Sequence, residues 1–540
     1  MCPNAPMPKI VIDNREVEVP AGATILDAAA KLGIAIPTLC LLHGHPAATS
    51  CMVCVVKVNG RERLFPACAT KAADGMIVES ETEEVRQARR TAFELLLSDH
   101  IGDCDAPCRV ACPAHMNIPL MIRQIAANKL GDAIATVKRH IPLPAVLGRI
   151  CSAPCERACR RAAKDKPLSV CLLKRYAADV DLESEIPHVP GRTLRSRKKV
   201  AIVGAGPAGL AAAYYLQQLG HACTIFDDHP RAGGMLRYGV GEDRLPHEVL
   251  DAEIKTIEQL GAELRMGVRI GKDVPLAELR QKSDAVLLAA GKLDAALAQA
   301  LGIELAGKGV AADRHTMQTG TAGVFAAGDA IAPARVAVRA VAEGRAAAIA
   351  ISQFVAGTPA TGEVKPFSVH AGKLTDDELA RFSSGASRET RVEPGGGAAA
   401  GFTPKEAHRE ALRCLRCDCR KADACRLREH AQEYGARAGA HKGGRRTFEQ
   451  DASHPLVIYE PGKCIACGIC VRITAQAGEK LGLTFIGRGF RVRTTVPFGA
   501  SIAEGLEKAA RECVNACPTG ALAFKDGALA AESHGKDGKD

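Results

Sequence analysis

Cysteine spacing carries most of the chemistry in this 540-residue chain, which has 22 of them. Cys40, Cys51, Cys54 and Cys68 follow Cys-x10-Cys-x2-Cys-x13-Cys. Two triplets come next, Cys104, Cys108 and Cys112, then Cys151, Cys155 and Cys159, with prolines among them. Cys414, Cys417, Cys419 and Cys425 lie within twelve residues, and Cys464-x2-Cys467-x2-Cys470 is answered by a distant Cys517-Pro518. Four convergent thiolates suit soft metals, and the last pattern is that of a [4Fe–4S] cluster. Zinc is the rival for the Cys40 and Cys414 groups. Thr474 stands where a two-cluster ferredoxin has a further cysteine, so the Cys464 group predicts one cubane. Disulfide frameworks belong to small secreted chains, so these thiols are read as metal ligands. Cys2, Cys223 and Cys513 join no group.

The second chemistry is one glycine turn, Gly204-Ala-Gly206-Pro207-Ala208-Gly209, after the apolar run Lys199–Val203. The first glycine makes the turn, the second admits a pyrophosphate and the third packs helix on strand. The helix N-terminus then faces the phosphate charge. Asp227, 23 residues after Gly204, fits a ribose-hydroxyl acceptor. No Ser-His-Asp set or paired-carboxylate site emerges, so no catalytic residue is assigned.

These groups need elements to position them. Residues 9–19 and 53–58 alternate like strands, and residues 24–32 and 83–100 read as helices. Small residues Ala47, Ala48, Thr49 and Ser50 let loop amides face sulfur. A helix carries Cys171 (LSVCLLKRYAADV), and further helices are predicted over residues 208–219 and 334–351. A strand is predicted at CTIFD. Residues 382–402 read as a Gly/Ala/Ser linker, with Thr403 capping a helix from Pro404 to Arg413. The tail from Ala531 reads as disordered. Aromatics are 4% and Trp is absent, which argues against base stacking and nucleic-acid binding. The +10 charge on 132 charged residues is a mild excess that suits an acidic redox partner or a plain solvated surface. No signal-like start and no run of about 18 apolar residues are found, so no membrane span and a cytoplasmic location are expected.

Several segments resemble known families. The first module, and Tyr459–Leu522 with its Gly487-Arg-Gly-Phe segment, resemble the large iron–sulfur subunit of respiratory complex I and iron-only hydrogenases. Residues 100–185 resemble the small subunit of glutamate synthase and part of dihydropyrimidine dehydrogenase. That resemblance implies two [4Fe–4S] clusters, one on Cys104, Cys108 and Cys159, the other on Cys112, Cys151 and Cys155. The family's cysteine ahead of Cys104 is absent; His100, at His-x3-Cys spacing, and Cys171 are the candidate fourth ligands. Gly233-Gly234-Met235-Leu236-Arg237 followed by Arg244-Leu-Pro resembles the flavin-lining segment of the same small subunit. Asp284–Gly291 and Gly328-Asp329 resemble its later flavin motifs, which together imply FAD. Relatives insert a nicotinamide lobe between the last two motifs, yet only 36 residues separate Gly291 from Gly328, with no second fingerprint.

The expected fold is multidomain α+β and α/β. It comprises a β-grasp [2Fe–2S] ferredoxin (1–82), a helical double-cubane domain (83–190) and a Rossmann-like FAD domain without nicotinamide lobe (198–360). A linker (361–402), a Cys-rich helical segment (403–450), a ferredoxin-like [4Fe–4S] domain (451–530) and a tail (531–540) follow. Expected cofactors are FAD, one [2Fe–2S] and three to four [4Fe–4S]. The function implied is an electron-transfer subunit of a multi-subunit NAD(H)-linked oxidoreductase, open to flavin-based bifurcation. Its partners would be an NADH-oxidising, diaphorase-like flavoprotein subunit and ferredoxin-like or other redox subunits. The alternatives are a stand-alone flavin reductase and a non-enzymatic iron–sulfur or zinc carrier.

Overall fold

A computed structural model describes residues 7–293, 295–307, 309–333, 336–441, 443–444 and 446–525. The chain is a multidomain α/β protein of two compact units. The first unit comprises residues 1–105, 366–384 and 418–540, the second residues 106–365 and 385–417. The second unit thus interrupts the first in sequence, which replaces the purely linear domain order expected above.

In the first unit, a five-stranded mixed sheet runs Arg15–Glu18, Lys9–Ile12, Ile77–Glu79, Val55–Val58, Leu64–Pro66. Its central pair, Lys9–Ile12 with Ile77–Glu79, is parallel and its other pairs are antiparallel. The helix Ile25–Lys31 starts at a capping box between Thr24 and Asp27, whose reciprocal bonds satisfy two orphan amides. Ile10, Ile12, Ile25, Val56 and Val78 form its core. The helix Glu83–Leu97 buries Phe93 and Arg89, and the Arg89 guanidinium donates to Val55 O and to Tyr434 Oη at 2.8 Å. The later part pairs Val457–Tyr459 with Leu522–Phe524 around the helices Ile469–Gln476 and Ala510–Ala516.

In the second unit, all five strands of the main sheet are parallel. Their order is Val324–Ala326, Ala285–Leu288, Lys199–Val203, Ala222–Asp227, Glu263–Met266. Parallel strands are buried on both faces, which is why they read as continuous apolar runs. The helices Pro207–Gln218 and Ala337–Val355 pack tightly because Gly344 has no side chain; a Cβ there would lie 2.3 Å from Ala208 O. A second core holds the helices Ile118–Ala126, Leu130–Lys138, Pro144–Ile150 and Val170–Leu182.

The segment read as a linker is packed. Asp376–Phe382 is a helix with a Thr375–Glu378 capping box, and the Glu378 carboxylate also accepts from Phe448 N at 2.7 Å. Val392 and Phe402 are buried, and Arg391 pairs with Glu156 at 2.9 Å. Its small residues misled the reading; the sparse apolar and charged ones between them anchor it. Thr403 caps the helix Pro404–Ala411 as expected. The start of the helix predicted from Ala334, and the tail predicted as disordered, lie outside the described residues; that helix is described from Ala337.

Candidate metal centres and the dinucleotide turn

Cys40, Cys51, Cys54 and Cys68 are all buried on the loops of the mixed sheet. Cys54 Sγ and Cys68 Sγ are 3.4 Å apart. A hydrogen bond from the Cys51 thiol pulls Cys40 down to about 5, despite burial, and Ser50 adds to the effect. Cys68 draws Cys54 down to about 7, and their partners Cys51 and Cys68 are pushed up in turn. Two hydrogen-bonded thiol pairs, Cys40–Cys51 and Cys54–Cys68, each with one acidified member, fit a metal cluster.

A second cavity of the first unit is lined by His100, Cys104, Cys419 and Cys425, with Leu97, Val369 and Gly520. Burial, with Lys463 nearby, pushes His100 down to about 4. Its imidazole is therefore neutral near pH 7, the form that ligates metal. Cys419 N donates to Cys104 O at 3.3 Å, joining residues more than three hundred positions apart. Asp103 accepts from Ala371 N at 2.9 Å and Asp105 pairs with Arg428 at 2.7 Å, which hold the Cys104 loop in place.

A third cavity gathers Cys464, Cys467, Cys470 and Cys517 with Tyr459, Thr494 and Pro518. Burial raises Cys467 to about 12. Left-handed Ala466 (φ 52°) and Gly468 (φ 73°) turn the cysteine loop. Thr474 is buried and its hydroxyl accepts from Leu483 N at 3.1 Å, so the position of an extra cysteine serves as a structural clasp. Buried Cys513 aims its thiol at Cys470 O, 3.9 Å away, and buried Cys223 faces His221 O at 3.8 Å; Cys2 lies outside the described residues.

In the second unit, Cys108, Cys159, Cys414 and Cys417 line one cavity. Two fully buried arginines frame it. Arg161 pairs with Asp165 at 2.7 Å and donates to Arg413 O at 2.6 Å; Arg413 pairs with Glu410 at 2.8 Å. Buried guanidiniums are tolerated here because each is fully paired. Cys112, Cys151, Cys155 and Cys171 form the other set. Cys171 is hydrogen-bonded with Cys151, which lowers it, and with Cys155, which raises it together with burial to about 11. Buried Lys174 feels the charges of all four.

The run Cys414–Cys425 therefore divides between two cavities, two residues for each, and does not form one site. Cys104 likewise parts from Cys108 and Cys159. Local spacing could not show this, because the closing contacts come from segments far apart in sequence. Arg161 and Arg413 carry no cysteine spacing and were missed; adjacency to Cys159 and Cys414 was their only signal.

The glycine turn is built as the fingerprint predicts. Gly204 has φ +109°, and a Cβ there would sit 2.4 Å from Ala289 O; at Gly209 it would sit 2.0 Å from Gly204 O. At Gly206 the nearest atom, Gly234 Cα, is 4.0 Å away, leaving open space beside the turn at which Pro207 and Ala208 begin the helix. Asp227 ends its strand and accepts from Ala205 N at 2.7 Å, which draws the carboxylate to the turn. Arg237 is buried, ion-paired to Asp251 and bonded to Ala232 O, with its Nη1 unsatisfied among the described residues. Leu236 is buried, while Met235 and Arg244 are exposed. Gly328, at φ +71°, packs against Ala208 and gives its amide to Glu343 at 2.8 Å; Asp329 follows it in a short 3-10 turn. Gly291 has φ +72° with nothing near its Cβ position. Open space at Gly206 and the orphan Arg237 donor fit a bound dinucleotide. Between Gly291 and Gly328 the described residues hold a short helix, Ala295–Leu301, a two-stranded hairpin and the edge strand Val324–Ala326 of the main sheet, with no second parallel sheet.

Three families match parts of the chain. Residues 6–83 match a 2Fe-2S iron–sulfur cluster binding domain, residues 78–186 the dihydropyrimidine dehydrogenase domain II with a 4Fe-4S cluster, and residues 202–261 an NAD(P)-binding Rossmann-like domain. The chain is 42% identical over 189 residues to the NADPH-Fe(3+) oxidoreductase subunit beta of Geobacter sulfurreducens, covering 34% of this chain and 28% of that protein. It is 40% identical over 207 residues to the NADP(+)-dependent formate dehydrogenase subunit beta of Moorella thermoacetica, covering 34% and 29%. It is 34% identical over 201 residues to the glutamate synthase [NADPH] small chain of Bacillus subtilis, covering 35% and 40%. The chain thus spans less than half the length of these relatives. No helix among the described residues is long and apolar enough to cross a membrane. The chain thus carries 2Fe-2S, 4Fe-4S and Rossmann-like modules and is similar, over about a third of its length, to these oxidoreductase subunits.

Proposed function

We propose that the chain is an electron-distributing flavo-iron–sulfur subunit of a multi-subunit NAD(H)-linked oxidoreductase. One observation carries the reading: nineteen cysteines and His100 gather in five sets of four, in a chain that also carries the Gly204–Gly209 turn. In this reading Cys40, Cys51, Cys54 and Cys68 hold a [2Fe–2S] cluster, and the other four sets hold [4Fe–4S] clusters. FAD occupies the Gly204–Gly209 turn. A bound flavin interconverts two-electron and one-electron chemistry. The chain's residues supply the rest. Asp227 takes the ribose hydroxyls, Gly206 leaves room for the pyrophosphate and Arg237 offers a donor. In the first unit Arg472, two residues past Cys470, donates to Cys40 O at 3.0 Å and ties two of the cluster loops together.

The short segment between Gly291 and Gly328 favours a partner subunit as the site of NADH oxidation. That partner is a diaphorase-like flavoprotein, and further redox subunits take the electrons onward; bifurcation is an elaboration of the same scheme. The match to an NAD(P)-binding Rossmann-like domain favours the second reading, a stand-alone flavin reductase. Anaerobic addition of NADH and then NADPH to the cluster-loaded chain separates the two. The flavin should stay oxidised with both and bleach with dithionite; fast bleaching by either nucleotide would make the chain a reductase in its own right. Zinc in place of iron would make it a carrier or scaffold.

A further inference from the structure

Two cysteine sets of the first unit share one piece of backbone. The turn Cys517–Gly520 supplies Cys517 to one cavity, while Gly520 lines the other. A Cβ on Gly520 would lie 2.3 Å from Cys419 Sγ. Pro518 O accepts from Leu427 N at 3.3 Å and stands 3.8 Å from Cys425 Sγ. Lys421, between Cys419 and Cys425, reaches across to the same turn. Its ammonium donates to Val514 O and to Cys517 O, each at 2.6 Å. Burial pulls its pKa down, and the thiolates of Cys517, Cys425 and Cys419 act against that shift. Among the described residues it forms no ion pair. Nearby Lys463 differs, because Glu460 pairs with it and offsets its charge.

A cluster held by four protein ligands gains a negative charge on reduction, and its potential responds to fixed charges and hydrogen bonds around it. A cation held between two such sites favours the reduced state of both. We propose that Lys421 is a positioning residue shared by two cluster sites, His100/Cys104/Cys419/Cys425 and Cys464/Cys467/Cys470/Cys517. It clamps the Cys517 turn to the Cys419–Cys425 loop, and its charge raises both reduction potentials together. The proposal rests on the reading that both sites hold [4Fe–4S] clusters.

The test is an anaerobic redox titration of the full chain followed by electron paramagnetic resonance, with iron content measured first. If the unaltered chain lacks iron at these sites, the cluster reading itself fails, and the proposal with it. Given loaded sites, Lys421→Met and Lys421→Gln should make reduction of both clusters roughly tenfold harder, a fall of about 59 mV for one electron. Lys421→Arg, which keeps the charge, should stay near the unaltered potentials. Unchanged potentials, or a fall in one cluster alone, would overturn the proposal. So would loss of both clusters in the Met and Gln variants alike, which would leave a clamp without an electrostatic role.

Discussion

Replacing Cys417 and Cys419, two residues apart, by alanine tests the partition of ligands directly. Cys417 lines a cavity with Cys108, Cys159 and Cys414; Cys419 lines one with His100, Cys104 and Cys425. One [2Fe–2S] and four [4Fe–4S] clusters amount to about 18 irons per chain. Each single variant should lose one cubane and hold about 14 irons. The double variant separates the possibilities. If the two thiols serve one cluster, as their local spacing suggests, it also holds about 14; if they serve two, it holds about 10. Losses at independent sites add, and losses at a shared site do not. Adding His100→Ala to Cys419→Ala should cost no further iron, because both belong to one cavity. Iron and sulfide analysis of anaerobically purified protein gives the stoichiometry, and resonance spectra of the reduced protein show which signals vanish. A double variant with the iron content of the singles would refute the division of the Cys414–Cys425 run.

Two further outcomes follow from local geometry. A Cβ at Gly206 meets nothing nearer than Gly234 Cα at 4.0 Å, so Gly206→Leu should fold while flavin content falls at least tenfold; retained flavin at normal stoichiometry would remove the dinucleotide from this turn. Glu253 is buried and its carboxylate caps Ala145 N and Val146 N at 2.6 and 3.0 Å; burial pushes its pKa up to about 8 against those bonds. The folded state thus binds this proton more tightly than the unfolded chain, whose glutamates titrate near about 4.3. This group's contribution is fully present below that value and is lost as pH rises through about 8. Denaturation midpoints between pH 5 and 9 should fall less steeply in Glu253→Gln, and equal slopes would show that Glu253 does not govern the trend.

The residue types that matter were written in the order of the amino acids. Cysteine spacing named eighteen of the candidate thiols, because a cluster loop needs several ligands within a few residues and such runs rarely arise otherwise; His100 and Cys171 were named only through the family resemblance. The Gly204–Gly209 turn was equally legible, since each glycine answers a contact within its own strand–turn–helix, such as the 2.0 Å approach of a Gly209 Cβ to Gly204 O. Tertiary structure alone decided which of these candidate ligands line the same cavity. Cys104 meets Cys419 and Cys425 because residues 366–384 and 418–525 pack with the amino-terminal part, sealed by Asp103–Ala371 and Arg428–Asp105. Cys108 and Cys159 meet Cys414 and Cys417 through the buried Arg161–Arg413 network. These closures span hundreds of residues and are set by burial and hydrogen bonding of distant surfaces, to which local spacing is blind.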